Sequence, residues 1–254
     1  MKRMFKISLG ILVVGIILMG IGFAGHGVKN VHFNGYTPEI SHRITKQLSS
    51  HQEFSELDLN VPDANVMLKT GKKFSIRYQG TNTQAPKVKF AGKVATITQK
   101  YGHGTFFNRD DGDNTLVITV PKGTKISGKI EVVDGDLEIN NVDLNGVDVN
   151  VADGNVIYNQ LSVEGGRTTI GDGDFTSHRT VFKGHYTVKT ADGDNKVIDS
   201  HADGFILHTV DGDNKLDGVD HGTEDLRQND SAANLLRLEA TDGDNSVINI
   251  KAVQ

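Results

Sequence analysis

The 254-residue chain combines 37% apolar residues with 29 glycines, 4 prolines, 11 phenylalanines and no tryptophan, a balance that favours many thin turns over one thick core. It has no cysteine, which excludes disulfides, thiolate metal sites and a cysteine nucleophile. The net charge of −5 hides a segregation: residues 1–110 carry 15 basic and 6 acidic side chains (+9), and residues 111–254 carry 12 and 26 (−14), so the acidic part excludes nucleic acid as a partner.

The N-terminus has the pattern of a membrane anchor. A basic tip at residues 1–6 precedes an uncharged apolar run at residues 7–24, which is long enough to cross a bilayer as a helix. Basic residues before such a helix place the N-terminus inside, so we expect a single-pass cell-membrane protein whose C-terminal domain is extracytoplasmic. A cleavable signal peptide is the alternative; the run is longer than a signal core, and no clear cleavage site follows.

Residues 25–52 are predicted to be a juxtamembrane linker with one short helix. Thr37 fits the N-cap and Pro38 the first helical position, and apolar residues follow at every fourth place. The residues on this face are Ile40, Ile44 and Leu48. The helix is expected either to cap the open end of the following domain or to lie on the membrane surface.

From Phe54 the hydrophobic period changes to two, which is typical of strands. Short alternating runs are centred on residues 57–61, 66–68, 74–78, 88–90 and 94–98, with turns between them. Residues 102–109 are predicted to be a loop. We place no domain boundary between these strands and the repeats that follow, and treat residues 53–254 as one extracytoplasmic domain.

The repeats themselves are marked by the tripeptide Asp-Gly-Asp. Its first Asp lies at intervals of 23, 19, 19, 20, 19 and 31 residues, and this periodicity predicts a solenoid with regular repeats from residue 111. The leading residues are Asp111, Asp134, Asp153 (as Asp-Gly-Asn), Asp172, Asp192, Asp211 and Asp242. The predicted fold class is therefore all-β: a parallel β-solenoid (β-helix) of about 19–20 residues per coil after one transmembrane helix.

A second glycine follows each leading Asp by twelve residues in most repeats. These glycines are Gly123, Gly146, Gly165, Gly184 and Gly204. We interpret them as the second of two corners in each coil, with inward apolar residues between the corners. The longest interval holds a polar insertion at residues 222–234, which is either a specificity loop or a tolerated surface insertion.

The Asp-Gly-Asp turns have a structural and a chemical interpretation. In the structural one, the first carboxylate accepts the N–H two residues on, while nearby asparagines stack as an amide ladder. These asparagines are Asn114, Asn155, Asn195, Asn214 and Asn245. In the chemical one, stacked carboxylates bind calcium, although the sequence lacks the nonapeptide pattern of calcium-binding β-rolls. The candidate ligands are Asp111, Asp113, Asp134, Asp136, Asp172, Asp174, Asp192, Asp194, Asp211, Asp213, Asp242 and Asp244.

No other site emerges from the pattern. The histidines of the repeats occupy different offsets from their leading Asp, which argues against a zinc site. They are His178, His185, His201, His208 and His221. Catalytic, phosphate-binding and sugar-stacking motifs are not recognisable, so we predict no catalytic residues, no cofactor apart from the calcium alternative, and no enzymatic activity.

Several segments resemble a known family. Phe54-Ser-Glu-Leu-Asp-Leu, Val66-Met-Leu-Lys and, most specifically, Val120-Pro-Lys-Gly-Thr followed by Gly-Asp turns are similar to a bacterial adhesin-like family of β-strand repeat proteins of uncharacterised function. Some members are encoded with Lia-type envelope-stress systems. The resemblance covers about residues 53–254 and implies a single-pass extracytoplasmic β-solenoid with no catalytic or ligand residues to carry over. This chain departs from the family by using Asp where Ser or Ala often precedes the Gly.

These observations predict a membrane-anchored, non-enzymatic binding or scaffold protein of the cell envelope, similar to adhesins. The alternatives are a calcium-dependent surface adhesin and an accessory that modulates an envelope-stress signalling system. Expected partners are the membrane and, beyond it, a cell-wall or surface component or an envelope-stress membrane protein.

Overall fold

The structure is a computed structural model that describes residues 2–24, 30–34, 37–100, 105–106 and 112–253. The chain forms two compact units. Unit 1 comprises residues 1–42 and 102–111, and unit 2 comprises residues 43–101 and 112–254. Most of the predicted loop at residues 102–109 lies outside the described residues.

Unit 1 contains one helix and a small antiparallel sheet. Helix α1 runs over Lys2–Ala24 and includes the predicted anchor. By length and composition alone, its segment Met4–Gly22, with a mean hydropathy of 2.4, is long and apolar enough to cross a membrane. The sheet has the order β2-β1-β9. Its strands are β1 (Asn30–Asn34), β2 (Thr37–Ser41) and β9 (Thr105–Phe106).

Unit 2 consists of two long sheets that face one another across the core. The first half of its strands are β3 (Arg43–Ser50), β4 (Glu56–Asp63), β5 (Asn65–Gly71), β6 (Ser75–Thr81), β7 (Lys87–Ala91), β8 (Val94–Thr98), β10 (Thr115–Pro121), β11 (Lys125–Asp134), β12 (Leu137–Asn140) and β13 (Asp143–Asp153). The second half are β14 (Val156–Asn159), β15 (Ser162–Asp172), β16 (Phe175–His178), β17 (Val181–Asp192), β18 (Asn195–Ile198), β19 (Gly204–Asp211), β20 (Asn214–Leu216), β21 (Val219–Asp220), β22 (Leu226–Gln228), β23 (Leu235–Asp242) and β24 (Asn245–Ile248). A 3-10 turn, Asn82–Gln84, lies between β6 and β7.

The two sheets are mixed, which corrects the expectation of an entirely parallel fold. The 11-stranded sheet has the order β21-β20-β24-β18-β16-β14-β12-β5-β10-β6-β3, and the 10-stranded sheet has the order β22-β19-β23-β17-β15-β13-β11-β4-β8-β7. The central pairs are parallel, whereas β3 with β6, β6 with β10, and β7 with β8 are antiparallel at one end, as are β19 with β22 and β20 with β21 at the other. Two-residue turns join β7 to β8 and β20 to β21, and such turns are possible only between antiparallel strands.

In the centre, equivalent residues of successive repeats stack directly. Leu137 pairs with Val156 and Val156 with Phe175, and on the other sheet Val149 pairs with Thr168. We call one repeat's share of both sheets a rung. The alternating apolar positions predicted to point inward are buried, for example Leu144 at 1% exposure. Each rung covers the apolar face of the next, which no rung could do alone.

The corners differ from the prediction. In the central repeats the glycine twelve residues after the leading Asp lies inside a long strand; Gly146, for example, has φ 63° within β13. Gly123 does lie in a turn, between β10 and β11, and Gly204 begins β19. The predicted second corner is in fact seven residues after the leading Asp, where non-glycine residues adopt positive φ. Its residues in the regular repeats are Asn141, Gln160, Arg179, Asp199 and Asn249. No glycine marks this corner in the sequence. Asn and Asp, which tolerate the left-handed conformation, occupy it in three of these repeats, and Gln160 and Arg179 adopt it with longer side chains.

The helix predicted at residues 37–48 is wrong, because the segment forms β2 and β3. Residues four apart share a face of a helix, but they also share a face of a strand, since four is an even number. Ile44 and Leu48 do pack against the core, as inward residues of a strand. Tertiary pairing of β3 with β6 therefore decided between two structures that the spacing allowed.

The chain does not follow rung order at the two ends of unit 2. At one end, β4 and β5 lie between β8 and β11 and between β10 and β12, respectively, so an early segment is enclosed by later ones. At the other end, β23 inserts between β17 and β19, and β24 inserts between β18 and β20. The polar insertion gives the chain the length to pass the last rung, formed by β19 and β20, and to return between that rung and the one formed by β17 and β18.

Candidate functional site

The Asp-Gly-Asp turns stack into a continuous hydrogen-bonded column. The N–H of Asn155 donates to Asp136 Oδ1 (2.8 Å), and the N–H of Asp174 donates to Asn155 Oδ1 (2.9 Å). The same bond joins every rung from Asn65 to Asp213, and we call it the turn ladder. Its acceptors are Asn65, Asp136, Asn155, Asp174, Asp194 and Asp244. The acceptor is thus the third residue of the turn and the donor lies in the next rung, which corrects the predicted bond within one turn.

Asparagine and aspartate both serve as acceptors in the turn ladder. The shared requirement is a side-chain oxygen on Cγ, two bonds from Cβ, which both residues provide. The middle glycine is required for a different reason. Gly173 has φ 133°, and a Cβ there would collide with the carbonyl oxygen of Gly154 in the rung below. The stacking of one turn on the next therefore accounts for the middle glycine and the third residue of the motif.

The first residues of the turns form a second, uninterrupted acidic column, which we call the aspartate column. Its members, in spatial order, are Asp63, Asp134, Asp153, Asp172, Asp192, Asp242 and Asp211. Partial burial, followed by the neighbouring carboxylates of Asp63 and Asp153, raises the pKa of Asp134. The stacked turns thus hold carboxylates close to one another along the aspartate column. Asp63 was missed by the sequence analysis because Ala64 replaces the glycine of its turn; Asp-Ala-Asn was the available signal.

The structure brings the predicted calcium ligands together in these two columns, apart from Asp111, which lies outside the described residues. Asp113 adjoins the turn ladder, where it accepts from the side-chain amide of Asn65 (3.5 Å). In the described part of the chain, no group of three or more His, Cys, Asp or Glu side chains is arranged to hold a metal ion. In the turn ladder one oxygen of each carboxylate already accepts an N–H. Calcium binding by these columns stays a prediction.

An amide ladder does exist, but in the interior and in only part of the stack. The side-chain amide of Asn195 donates to Asn245 Oδ1 (2.9 Å), and that of Asn245 donates to Asn214 Oδ1 (2.9 Å); all three are fully buried. Asn155 belongs to the turn ladder instead, and Asn114 accepts from the hydroxyl of Tyr78 (2.8 Å) near the opposite end.

A buried hydroxyl cluster lies in the central rungs. The hydroxyl of Tyr186 is 2.7 Å from Thr168 Oγ1 and 3.0 Å from the hydroxyl of Tyr158. Burial raises the pKa of both tyrosines, so they remain neutral. With exposures of at most 1%, these groups cannot reach a substrate, and their role is structural.

The polar insertion forms the C-terminal cap of unit 2. Strand β22 pairs with β19, and Leu226 packs against the core. His208 Nδ1 lies 2.6 Å from Asp225 Oδ1, and Arg227 donates to the same carboxylate (2.9 Å). The hydrogen bond from His208, then that from Arg227, lowers the pKa of Asp225. The insertion is therefore neither a free loop nor a neutral addition, because it covers the last rung.

A polar surface depression of about 370 Å³ was not anticipated from the sequence. Corner residues Asn141 and Gln160 line it together with Lys122 and Asp143. Only stacking brings these residues together.

The predicted histidines share no site: His178 lies 3.8 Å from Asp199, while His208 belongs to the cap.

The geometry defines an extended β-strand repeat domain whose surface is a set of side-chain columns. The model of the Toastrack DUF4097 family matches residues 54–140 and 126–251, and the chain belongs to this family. This confirms the resemblance seen in the sequence. None of the curated proteins compared with the chain matches it.

Solved structures similar to the chain are of low identity. One is described as a candidate cell adhesion protein from Clostridium sporogenes (15% identity, TM-score 0.47, covering 84% of this chain and 100% of that chain). Another is a candidate adhesin from Bacteroides fragilis (13%, TM-score 0.35, 84% and 97%). A third is a candidate lipid-binding protein from Parabacteroides distasonis (10%, TM-score 0.37, 87% and 98%).

Proposed function

We propose that the protein is a membrane-anchored, extracytoplasmic, adhesin-like binding or scaffold protein of the cell envelope. The observation that carries the proposal is α1, whose large apolar side chains from Met4 to Ile21 are exposed to between 47% and 74%. An apolar surface of this size requires a nonpolar environment, and a helix of this length matches the bilayer. The basic residues Lys2, Arg3 and Lys6 would keep the N-terminus inside.

We further propose that unit 2 is a solenoid of about 19–20 residues per coil, presented as a rigid surface. The supporting pairs, such as Asn140 with Asn159 and Asp153 with Asp172, are each separated by 19 residues. Regular stacking places equivalent side chains about 4.8 Å apart, which suits binding of an extended or repetitive surface component. The partner in this proposal is a cell-wall or surface component.

The proposal assigns no catalysis to the chain. In the buried interior, the Tyr158, Thr168 and Tyr186 hydroxyls bond to one another, and the amides of Asn195, Asn245 and Asn214 form a ladder. Both arrangements stabilise the stack, and their hydroxyls and amides are buried from solvent.

The anchor is tested by extracting membranes from expressing cells with alkaline carbonate and determining the N-terminal residue of the product. We expect the intact chain to stay in the membrane pellet and unit 2 to be digested by protease added outside the cells. A soluble product that begins after about residue 24 would show that α1 is a removed signal sequence and would overturn the anchor.

Adhesion is tested with a chain that lacks residues 1–24. An adhesin retains binding to isolated cell wall without its helix, whereas a modulator of an envelope-stress system loses its effect on the signalling output. Calcium dependence is tested by melting the same protein with Ca²⁺ and with chelator; an unchanged midpoint would exclude a calcium ladder.

A further inference from the structure

The two ends of unit 2 carry opposite charge. Strands β3, β6 and β7 form one end and contain five basic residues and no acidic residue. The turn between β5 and β6 adds two exposed lysines. We call six of these residues the basic edge: Lys46, Lys72, Lys73, Arg77, Lys87 and Lys89. The opposite end, residues 211–230, contains seven acidic and two basic residues.

The cations of the basic edge are exposed and largely uncompensated. Lys46, Arg77 and both lysines of β7 are exposed. Within the parts of the chain that the structure describes, these four have no carboxylate oxygen within 4 Å, unlike Lys93, which pairs with Glu53 at 2.9 Å. In the acidic end, by contrast, both cations are paired: Lys215 with Asp244 and Arg227 with Asp225. Lys46, Arg77, Lys87 and Lys89 therefore present positive charge without a described carboxylate partner.

Protection of edge strands explains why these ends are charged, but not why their signs differ. Charged side chains on an edge strand hinder pairing with another sheet, whether they are lysine or aspartate. At the acidic end, edge strand β21 ends in Asp220, whereas edge strand β7 carries Lys87 and Lys89. A difference in sign requires a difference in what each end faces.

The connection from the membrane anchor enters unit 2 at an edge strand. Eighteen residues separate Ala24 at the end of α1 from Arg43 at the start of β3, the last strand of the 11-stranded sheet on the basic side. Strands β1 and β2 pair as an antiparallel hairpin within this connection, so its reach is about 30 Å at most. The 11-stranded sheet extends about 48 Å from its first to its last strand at about 4.8 Å per strand. The reach of the connection is therefore shorter than the sheet.

We propose that the basic edge docks on the phosphate-bearing headgroups of the membrane in which α1 is inserted. The inference rests on the proposed anchor. Anionic headgroups attract lysine and arginine close to the surface, and the attraction decays within a Debye length. Docking holds the strands of unit 2 in layers parallel to the membrane and directs the acidic C-terminal cap outward, where it is available to a partner.

The test uses the full chain in nanodiscs of phosphatidylcholine, with and without about one third phosphatidylglycerol. Lysine acetylation rates are read by mass spectrometry. We expect Lys46, Lys87 and Lys89 to react at least about threefold more slowly on the anionic discs, with the difference lost at high salt. Lys183 and Lys196, which are exposed in the central strands, serve as internal controls and should react at the same rate on both discs.

Charge reversal supplies the matched variant. Lys87→Glu combined with Lys89→Glu should abolish the remaining protection of Lys46, whereas Lys183→Glu should leave it unchanged. Equal rates for Lys46, Lys87 and Lys89 on both kinds of disc would overturn the inference even if the chain is fully inserted. Protection that depends on the number of chains per disc, and not on lipid charge, would indicate a second copy as the partner and would also overturn it. Failure of the chain to insert would instead overturn the proposed anchor.

Discussion

The central rungs and the two ends of unit 2 are built by different rules. Between β11 and β18 the chain adds one rung after another, all neighbours are parallel, and each residue lies on its equivalent. At the ends the order of the chain is broken and antiparallel strands cover the last rungs. The centre repeats because every rung has two identical neighbours. The ends cannot repeat, because an open parallel edge would expose unpaired backbone groups.

The buried interior also differs between the central rungs and the C-terminal end of unit 2. The core column that contains Leu137, Val156 and Phe175 in the centre continues as Asn195, Asn245 and Asn214 towards the C-terminal end. Apolar residues stack without directional constraint, whereas buried amides must find partners in one register. We infer that the amide ladder specifies how the out-of-order strand is inserted.

Truncation after Asn234 should produce the largest effect, because it removes β23 and β24 from between their neighbours. Buried Leu236, Leu238 and Val247 leave with them, and we expect a loss of about 5 kcal/mol or more in the free energy of unfolding of this end. Hydrogen exchange should show protection lost in β17–β20 and kept in β11–β15, since rungs interact mainly with their neighbours. Retained protection in β19 would show that the last rungs stack without the inserted strands.

Substitution of the middle glycine of an Asp-Gly-Asp turn should have the next largest effect on stability. Gly173→Ala adds a Cβ against the backbone of Gly154 at a positive φ, with an expected cost of about 3 kcal/mol. The matched control is Gly146→Asn, because no atom lies within 4 Å of its Cβ position and Asn tolerates the left-handed conformation; its cost should be below about 1 kcal/mol. Urea unfolding measures both. Similar costs at the two glycines would disprove the assigned stacking role.

Removing the centre of the amide ladder tests the C-terminal interior. Asn245→Ala leaves the buried amides of Asn195 and Asn214 without their partner and should cost about 2 kcal/mol. Replacing all three asparagines with valine, the residue at position 156 in the central rungs, should recover part of the loss because unpaired amides are no longer buried. Additive costs in the single and triple variants would show that the three amides act independently.

A substitution in the aspartate column should change the free energy of unfolding least, and should raise it where the other substitutions lower it. The pKa of Asp134 is raised in the folded state, so its ionisation opposes folding: its favourable contribution is present at low pH and is lost as the pH rises through the folded-state pKa. Asp134→Asn should therefore stabilise the protein by up to about 0.5 kcal/mol at neutral pH and by nothing at about pH 3. Asp136→Asn is the control and should change stability little, since Asn155 already fills the same role. Destabilisation by Asp134→Asn at neutral pH would show that the carboxylate has a favourable partner.

Much of the fold follows from local pattern alone. The alternation around Leu57, Leu68 and Ile76 located strands correctly because each inward residue is buried against its own rung. The Asp-Gly-Asp period located the rungs because the stacked turn favours glycine at its middle position, which Ala64 replaces in one rung. The same period did not reveal the candidate site, because the sequence shows the carboxylates but not which of them accept hydrogen bonds from the next rung.

The sequence by itself determined the apolar helix, the strand period and the stacked turns, because each depends on residues close together in the chain or on their equivalents one repeat away. Only the tertiary structure decided that residues 37–48 are strands, that β23 inserts between β17 and β19, and that basic and acidic charge gather at opposite ends of unit 2. The insertion of β23 depends on contacts between distant residues; the N–H of Asp244, for example, donates to Asp194, 50 residues away. A local pattern carries no information on which distant strand fills a gap in a sheet.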